Sequence, residues 1–309
     1  MKEKELRDEI ARLKQEKNAL IMAHYYTRDE IQEIADFIGD SLALARKAAE
    51  TDADIIVMCG VHFMGETAKI LSPDKKVLVP DASAGCSLAD SCDPVEFEKF
   101  VKAHPDHTVI SYVNTTAAVK ANTDIVVTSG NARKIVESLP ADEKIIFGPD
   151  KNLGGYINSV TGRQMLLWNG ACHVHDRFSL EAILKLTEEY PGAKVLVHPE
   201  CRRPLQLIAD KVGSTAALLD FAQHDEADTY IVVTESGILF EMQRKCPGKR
   251  FIPAPAEDAE CQCNNCDYMK MNTLEKVAEC LRTEQPEITV DPEIAARAVK
   301  PIERMLSLS

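Results

Sequence analysis

Polar and apolar residues follow two patterns along this chain, and the two patterns succeed one another three times. Apolar residues at three- and four-residue spacing, typical of amphipathic helices, occur at residues 5–17, 94–103 and 180–190. A short, nearly continuous apolar run of the kind that forms a buried strand follows each one, at residues 19–24, 108–112 and 194–198. We therefore predict three copies of one helix–strand unit.

Two further strands in each copy share landmarks. An apolar run that opens with Asp and ends in a small polar residue and Gly occurs at residues 54–60, 124–130 and 228–237. Each of these runs enters a predicted helix. A third run ends near proline, at residues 76–81, 144–150 and 250–255. We predict that the members of each set are equivalent strands of the three copies.

Val- and Ile-rich runs joined by helical crossovers are typical of parallel sheets that are covered on both faces. We predict an α/β fold of three three-layer αβα domains, related by pseudo-threefold symmetry, each with a small parallel sheet, around a central site. The predicted domains are residues 1–92, completed by 273–309, then 93–178 and 179–272. A single doubly wound sheet with coincidental internal similarity is the alternative.

Composition and charge narrow the class of protein. The 309 residues are 45% hydrophobic and 28% charged, as in ordinary globular proteins. The net charge of −13 repels nucleic acid and anionic membranes, and no basic stripe offsets it. No run approaches the roughly 18 consecutive apolar residues of a membrane-spanning helix, and the first segment lacks a signal-peptide core. We expect a cytoplasmic protein that binds neither nucleic acid nor membrane.

Ligands of open parallel sheets bind beyond the carboxyl ends of the strands, where loops and helix N-termini converge. This rule selects the residues that end or follow the first strand of each copy: His24, Tyr25, Tyr26, Tyr112, Val113, Asn114, His198, Pro199 and Glu200. It also selects hydroxyl groups near predicted helix starts, which suit phosphate or carboxylate: Ser41, Ser129 and Thr215. A single Ser or Thr there is more often only an N-cap, so their repetition is what favours binding.

Ten cysteines is a high number for this chain. In a reducing cytosol they are thiols, metal ligands or small core residues rather than a disulfide framework. Each copy supplies at least one from a loop after its third strand: Cys86, Cys172, and one of Cys261, Cys263 or Cys266. Three thiolates meeting at the pseudo-threefold axis suit an iron–sulfur cluster with one iron free of protein ligands. Such an iron is a Lewis acid for dehydration-type chemistry.

Simpler roles for the cysteines and histidines stand beside this hypothesis. The segment from Cys261 to Cys266 could alone hold zinc with a distant fourth ligand, although structural zinc sites usually show two C-x2-C pairs. The remaining cysteines are most simply buried or incidental thiols. Among the histidines, those at strand ends or beside a cysteine form a candidate acid–base set with Tyr26 and Glu200: His24, His173 and His198.

Ten short motifs occur in order along the chain. They are HYY at 24–26, GDS at 39–41, AGCSLA at 84–89, YVN at 112–114, GPDKNLG at 148–154, WNGACH at 168–173, HPEC at 198–201, GST at 213–215, TESG at 234–237 and CxxMxMN at 266–272. Together they resemble the quinolinate synthases over nearly the whole chain. The resemblance implies a triangular arrangement of three α/β domains with a 4Fe-4S cluster at their junction.

The resemblance also implies a reaction. Iminoaspartate, supplied by L-aspartate oxidase or aspartate dehydrogenase, condenses with dihydroxyacetone phosphate to give quinolinate, phosphate and water on the de novo route to NAD. It implies that the cluster ligands are Cys86, Cys172 and Cys266. It implies substrate contacts by His24, Ser41, Tyr112, Val113, Asn114, Ser129, His198, Pro199, Glu200 and Thr215. With the chemistry required, it makes Tyr26, Glu200 and His173 the candidates for catalysis.

One departure from the family pattern concerns the last cysteines, where this chain has C-x-C-x2-C and some relatives have C-x2-C-x2-C. Cys266 is the best ligand because the Met-x-Met-Asn pattern follows it. Two other functions remain open. One is a zinc- or iron-binding sensor or scaffold that turns nothing over, and the other is an aconitase-like hydro-lyase that uses the same open iron.

Overall fold

The computed structural model describes residues 3–257 and 265–309, and it contains three parallel sheets of four strands each. We call the parts of the chain that build them the first, second and third units. The strands of the first unit are β1 (Ala19–His24), β2 (Phe37–Gly39), β3 (Ile55–Cys59) and β4 (Lys76–Leu78). Its helices are α1 (Glu3–Glu16), α2 (Asp29–Ile34), α3 (Ser41–Glu50), α4 (His62–Leu71) and α5 (Ser87–Asp90).

The second and third units repeat this order of elements. The strands of the second unit are β5 (Thr108–Tyr112), β6 (Ile125–Val127), β7 (Ile145–Gly148) and β8 (Leu166–Leu167). Its helices are α6 (Pro94–Lys102), α7 (Ala117–Lys120), α8 (Ala132–Ser138) and α9 (Lys151–Thr161), and a 3₁₀ turn follows at His175–Arg177. The strands of the third unit are β9 (Lys194–Val197), β10 (Lys211–Val212), β11 (Thr229–Val233) and β12 (Arg250–Pro253). Its helices are α10 (Leu180–Glu189), α11 (Arg203–Leu207), α12 (Thr215–His224) and α13 (Ile238–Lys245).

All three sheets have the same strand order. It is β2-β1-β3-β4 in the first unit, β6-β5-β7-β8 in the second and β10-β9-β11-β12 in the third, and every pair is parallel. The predicted α/β class with three small parallel sheets is therefore confirmed, and the alternative of one doubly wound sheet is wrong.

The predicted equivalence of the runs 54–60, 124–130 and 228–237 is wrong for the second unit. Strand β6, from the run 124–130, lies at a sheet edge like β2 and β10, whereas β3 and β11 are central. The true counterpart of β3 in the second unit is β7, so the predicted equivalence of the runs 76–81, 144–150 and 250–255 is also wrong for the second unit: β7 is central, whereas β4 and β12 lie at sheet edges. The short strands β2, β8 and β10 are not predicted at all, because two or three residues carry too little periodicity to be recognised.

An aspartate sets the register of the edge strand in each unit. The side chains of Asp36, Asp124 and Asp210 each accept a hydrogen bond from a first-strand N–H 15 residues earlier, at 2.9, 2.8 and 2.7 Å. The N–H group of each aspartate donates to the carbonyl of that same residue. Because this pair of bonds recurs, the residues that follow the three edge strands arrive at equivalent places.

The three sheets share one inner core. Met22, Ile110 and Leu196, from the first strands of the three units, belong to a single cluster of buried apolar side chains. Their neighbours in the chain point to the opposite sheet face, where each unit has its own outer cluster beneath helices. Burial on both faces explains why these strands are continuous apolar runs rather than alternating ones.

The C-terminal helices are α14 (Asp267–Lys270), α15 (Leu274–Thr283) and α16 (Pro292–Leu308). Helix α15 packs on α1 and joins the outer cluster of the first unit. Helix α16 packs against β6, α7 and α4, so it connects the first and second units. The predicted domain limits at residues 92, 178 and 272 stay a prediction. Within residues 3–257 and 265–309, no helix has the length and apolar character to cross a membrane.

Candidate functional site

One cavity lies where the carboxyl ends of β1, β5 and β9 meet, and it has about 710 Å³ of space between protein atoms, including the solvent at its open mouth. The residues predicted for binding or catalysis that line it are His24, Tyr26, Ser41, Tyr112, Asn114, Ser129, His173, His198, Glu200 and Thr215. All three units therefore contribute side chains to the wall of this cavity. Val113 and Pro199, also predicted, lie behind it: Val113 borders a small apolar space next to Ser41, and the Pro199 carbonyl accepts a hydrogen bond from Gln206.

The three predicted hydroxyl groups occupy equivalent places. Each lies 17 positions after the residue that ends or follows the first strand of its unit: Ser41 after His24, Ser129 after Tyr112 and Thr215 after His198. Ser41 and Thr215 are the first residues of α3 and α12, but the capping hydrogen bonds come from the preceding residues, Asp40 and Ser214. The hydroxyl groups of Ser41 and Thr215 are therefore not N-caps, and they line the cavity instead.

Glycine permits the tight passage from edge strand to helix in two units. A Cβ at Gly39 would lie 2.8 Å from the Cβ of Ala43, and one at Gly213 would lie 3.0 Å from the Cβ of Ala217. A side chain at either place would push the helix away from the strand. The glycines thus bring the N-termini of α3 and α12 close to the sheet edge and to the cavity.

Glu200 is the centre of a buried polar cluster. Its Oε1 accepts a hydrogen bond from the Tyr112 hydroxyl at 2.5 Å, and its Oε2 lies 3.0 Å from Nδ1 of His175. The ring of His198 stacks on His175 with centroids 4.5 Å apart. Burial alone would raise the pKa of Glu200, but the two imidazoles and the Tyr112 hydroxyl outweigh it and hold this pKa below its usual value. Glu200 is therefore a carboxylate at neutral pH.

A chain of hydrogen bonds connects this cluster to Tyr26. The Tyr26 hydroxyl lies 2.6 Å from Oγ1 of Thr215 and 2.8 Å from Oγ1 of Thr234. The same Thr234 oxygen lies 2.9 Å from Nε2 of His175, whose other ring nitrogen faces Glu200. Because burial raises the pKa of Tyr26 well above its ordinary value, its phenol keeps its proton. Tyr26 and Glu200, predicted separately, are thus joined through His175.

His175 is the main residue that sequence reasoning missed. It is buried and central to the polar cluster, and the available signal was a His-x-His pattern at 173–175 directly after Cys172. The other cavity-lining side chains that were not predicted as site residues are Asp40, Val61, Phe63, Ser87, Thr128, Val174, Glu235 and Met269.

His173 lies beside the cysteine loops. Its Nδ1 is 2.5 Å from Oγ of Ser87, the residue after Cys86, and its own position directly follows Cys172. Burial and the charge of Arg177 lower the pKa of His173. The Ser87–His173 hydrogen bond therefore ties together the two loops that carry these cysteines.

Three cysteines differ from the others that the structure describes. Cys86, Cys172 and Cys266 line the cavity with partly exposed side chains, whereas the other described cysteines are buried: Cys59, Cys92, Cys201, Cys246 and Cys280. Each of the three precedes a helical turn in which its own carbonyl accepts the N–H four residues later, at 2.9, 2.9 and 3.1 Å. Cys261 and Cys263 lie outside the described residues.

The donor set fits an iron–sulfur cluster. Burial raises the pKa of Cys86 to about 12 and that of Cys266 to about 11, and it raises the pKa of Cys172 well above its ordinary value. Backbone N–H groups of the following turns oppose this effect at all three sulfurs. Thiols in such surroundings lose their protons to a metal centre, and N–H groups aimed at sulfur stabilise the resulting thiolates.

A site for a single metal ion would use a different set of atoms. One ligand atom each of Cys172, His175 and Glu200 lies within 4.8 Å of the others. The contact between His175 and Glu200 and the bond from Tyr112 to Glu200 already account for this closeness without a metal. Cys172 therefore belongs both to this group and to the set of three cavity-lining cysteines.

Buried neutral histidines make the stability of this protein depend on pH. Burial lowers the pKa of His24 and that of His198 to about 3. Because histidine in an unfolded chain titrates near about 6.5, the unfolded state binds more protons between these values. Stability is therefore lost as the pH falls below about 6.5, by up to about 1.4 kcal/mol per pH unit for each histidine.

Urea unfolding at pH 7 and pH 5 measures this prediction. We expect the wild-type protein to lose stability at pH 5 and His198→Asn to lose less. His224→Asn, a change at the exposed end of α12, is the control and should behave as wild type. Equal losses in His198→Asn and wild type would contradict the assignment.

An ion pair between the buried Glu235 and the partly buried Lys270 places Cys266 against the first unit. Oε1 of Glu235 lies 3.0 Å from Nζ of Lys270 and accepts the Cys266 N–H at 3.0 Å, and Oε2 accepts the Gly237 N–H at 2.7 Å. Lys270 also donates to the carbonyl of Tyr26 at 2.8 Å. The pair therefore holds a cavity-lining cysteine and a cavity-lining tyrosine at the same time.

We expect Glu235→Gln to lower the free energy of unfolding by about 3 kcal/mol, because Lys270 loses its carboxylate partner. The matched control is Glu241→Gln, which removes another buried carboxylate of the third unit; its partner Arg244 is 55% exposed and can be hydrated. This control should lose less than about 1 kcal/mol. Chemical unfolding measures the free energy of unfolding of both variants. Equal losses in the two would show that the ion pair between Glu235 and Lys270 does not stabilise the protein more than the one between Glu241 and Arg244.

The fold and cavity define an α/β protein in which three similar units surround one ligand cavity and three thiols face it. A family model described as quinolinate synthetase A protein matches residues 8–307. A quinolinate synthase of Chloroherpeton thalassium is 53% identical over 305 residues, which cover 99% of this chain and 95% of that protein. A quinolinate synthase of Thermosynechococcus vestitus is 55% identical over 300 residues, covering 97% of this chain and 94% of that protein. The chain belongs to the quinolinate synthase family.

Proposed function

We propose that this chain is a quinolinate synthase of de novo NAD biosynthesis, which condenses iminoaspartate with dihydroxyacetone phosphate to quinolinate, phosphate and water. The observation that carries the proposal is the single cavity in which three hydroxyl groups, a buried acid–base cluster and three thiols meet. Membership of the family supports the same activity.

The hydroxyl groups that recur at equivalent places in the three units bind the anionic groups of the substrates. Iminoaspartate carries two carboxylates and the triose carries a phosphate. The first peptide N–H groups of α3 and α12 carry partial positive charge, and the hydroxyls of Ser41 and Thr215 stand beside them. Ser129 occupies the equivalent place in the second unit. We assign the carboxylate and phosphate oxygens to these three residues.

Asn114 orients the substrate nitrogen. Its carboxamide oxygen is buried and has no hydrogen-bond partner among the residues that the structure describes. A buried acceptor without a partner costs free energy, which a ligand N–H can recover. We assign the imine or enamine nitrogen of the substrate to this side of the cavity.

The residues that connect Glu200 to Tyr26 carry out the proton transfers. Building the ring requires carbon–carbon bond formation, closure by nitrogen onto a carbonyl, and loss of phosphate and hydroxyl groups, all of which move protons. Glu200 is the base because it is ionised, and Tyr26 is the acid because it retains its proton. Once Tyr26 has given its proton to the substrate, a proton accepted at Glu200 can return to the Tyr26 oxygen through His175 and Thr234; Nδ1 of His175 lies 3.0 Å from Glu200 and has to turn toward the carboxylate to form that hydrogen bond. His173 is the candidate donor beside the cysteines.

A 4Fe-4S cluster held by Cys86, Cys172 and Cys266 would supply an iron without a protein ligand, which is a Lewis acid for a departing hydroxyl group. The chain contributes the three sulfurs, the N–H groups aimed at them and the Ser87–His173 bond between two of the loops. L-Aspartate oxidase or aspartate dehydrogenase would supply iminoaspartate in the cytoplasm, since each converts an amine to an imine.

Anaerobic purification and product analysis test the proposal. We expect about four iron and four sulfide per chain. Oxaloacetate and ammonia, as a chemical source of iminoaspartate, should yield quinolinate with dihydroxyacetone phosphate, identified by mass spectrometry. A single metal without sulfide and without turnover would favour the sensor or scaffold. Dehydration of a hydroxyacid without ring formation would favour the hydro-lyase.

A further inference from the structure

Lys120 is a fully buried lysine that the proposed chemistry does not use. It ends the short helix α7, and its side chain has no exposed surface. Its Nζ donates to the carbonyl of Val113 at 2.7 Å and to that of Thr115. The same ammonium group lies 5.4 Å from the ring centre of Phe63, which lines the cavity.

The two carbonyls that Lys120 binds lie on either side of Asn114. Asn114 lines the cavity and presents the buried carboxamide oxygen without a partner among the described residues. Tyr112, at the start of the same turn, donates to Glu200, and its carbonyl accepts from the Thr115 hydroxyl at 3.1 Å. The turn that carries the two cavity residues Tyr112 and Asn114 is thus held by Lys120, which lies behind it.

The positive charge of Lys120 is only partly balanced. The carboxylate that acts on it is that of Glu66, which also accepts the Ala117 N–H at 3.0 Å, whereas the thiol of Cys86, which is also close, is neutral at pH 7 because burial raises its pKa to about 12. Burial lowers the pKa of Lys120 to about 8, so the ammonium form prevails at pH 7. A buried cation is costly, and a methionine of similar length would fill the same volume without this cost. A charge kept at this place has an electrostatic effect on whatever occupies the cavity.

We propose that Lys120 is a positioning residue for anion binding: its ammonium group fixes the turn 112–115 so that Tyr112 and Asn114 face the ligand, and its buried charge favours a dicarboxylate or phosphate there. The inference rests on the proposed function for the identity of the anion. The geometry of the turn does not depend on that function.

The test compares Lys120→Met with a matched lysine elsewhere. Lys249 also donates to two backbone carbonyls, those of Ala222 and Asp225, and lies 5.3 Å from the ring centre of Tyr230, but it is in the third unit away from the cavity wall. In anaerobically purified holoenzyme, we expect Lys120→Met to raise the dissociation constant of L-malate and the KM for dihydroxyacetone phosphate by about 10- to 100-fold. The value of kcat should change less than about threefold, and iron and sulfide should stay at the wild-type level. Lys249→Met should leave all these values unchanged.

The KM effect separates positioning from a merely structural role. If Lys120 only supports the fold, Lys120→Met will lower the unfolding midpoint, as Lys249→Met does, and leave KM and L-malate binding within twofold of wild type; this result would overturn the proposal. If Lys120→Met does not fold, Lys120→Gln, which keeps an amide NH₂ donor group but no charge, is measured in its place against the same limits. A wild-type protein that binds neither L-malate nor dihydroxyacetone phosphate would instead count against the proposed function.

Discussion

Cys266→Ser will give a colourless, inactive protein with less than about one iron and one sulfide per chain, against about four of each in wild type. Cys266 lines the cavity together with Cys86 and Cys172, and serine oxygen is a poor substitute for a thiolate on such a cluster. Cys86→Ser and Cys172→Ser should give the same result, because a cluster with one open iron has no protein ligand to spare. Visible absorption, metal and sulfide content and product formation measure the effect.

Cys246→Ser is the control for this series. Cys246 is buried at the end of α13 and does not line the cavity. It should retain colour and activity. A brown and active Cys266→Ser protein would remove Cys266 from the ligand set. Zinc bound in place of iron by the wild-type protein would remove the cluster altogether.

Glu200→Gln will lower kcat by about 10² to 10⁴ while iron and sulfide stay at the wild-type level. Glutamine can still accept the hydrogen bond from Tyr112, so the polar cluster keeps its shape, but its amide cannot take up a proton at neutral pH. The loss should therefore appear in turnover rather than in cofactor content. Single-turnover measurements of quinolinate formation distinguish a slow chemical step from slow product release.

Glu241→Gln again provides the comparison, because it neutralises a buried carboxylate of the same unit outside the cavity. Near-normal turnover of Glu200→Gln would transfer the proton-accepting role to a histidine or to Tyr26. Loss of iron together with turnover would instead assign Glu200 a part in holding the metal, as its closeness to Cys172 and His175 allows.

The sequence pattern predicts the long elements well, since each contains several turns of helix or a continuous apolar run. It also places His24, Tyr112 and His198 correctly at one edge, because the carboxyl ends of parallel strands face the same side of a sheet. The cysteine loops follow from the same logic: Cys86 and Cys172 come from corresponding parts of two units, and both line the cavity.

The edge strands β2, β8 and β10 and the contacts between units could not be predicted in this way. Strands β2, β8 and β10 are two or three residues long and are held by neighbouring strands rather than by their own propensity. His175 becomes recognisable only when Thr234, from the third unit, and Glu200 are brought to its two ring nitrogens.

Local periodicity and strand ends thus settle the α/β class, the threefold repetition and the edge of the sheets at which the cavity lies, because these depend on residues close together in the chain. The assembly of three units determines the hydrogen-bond partners of Glu200, the position of Cys266 beside Glu235 and the burial of Lys120. Those features depend on hydrogen bonds and charges between residues far apart in sequence, whose strength arises only when folding removes them from water.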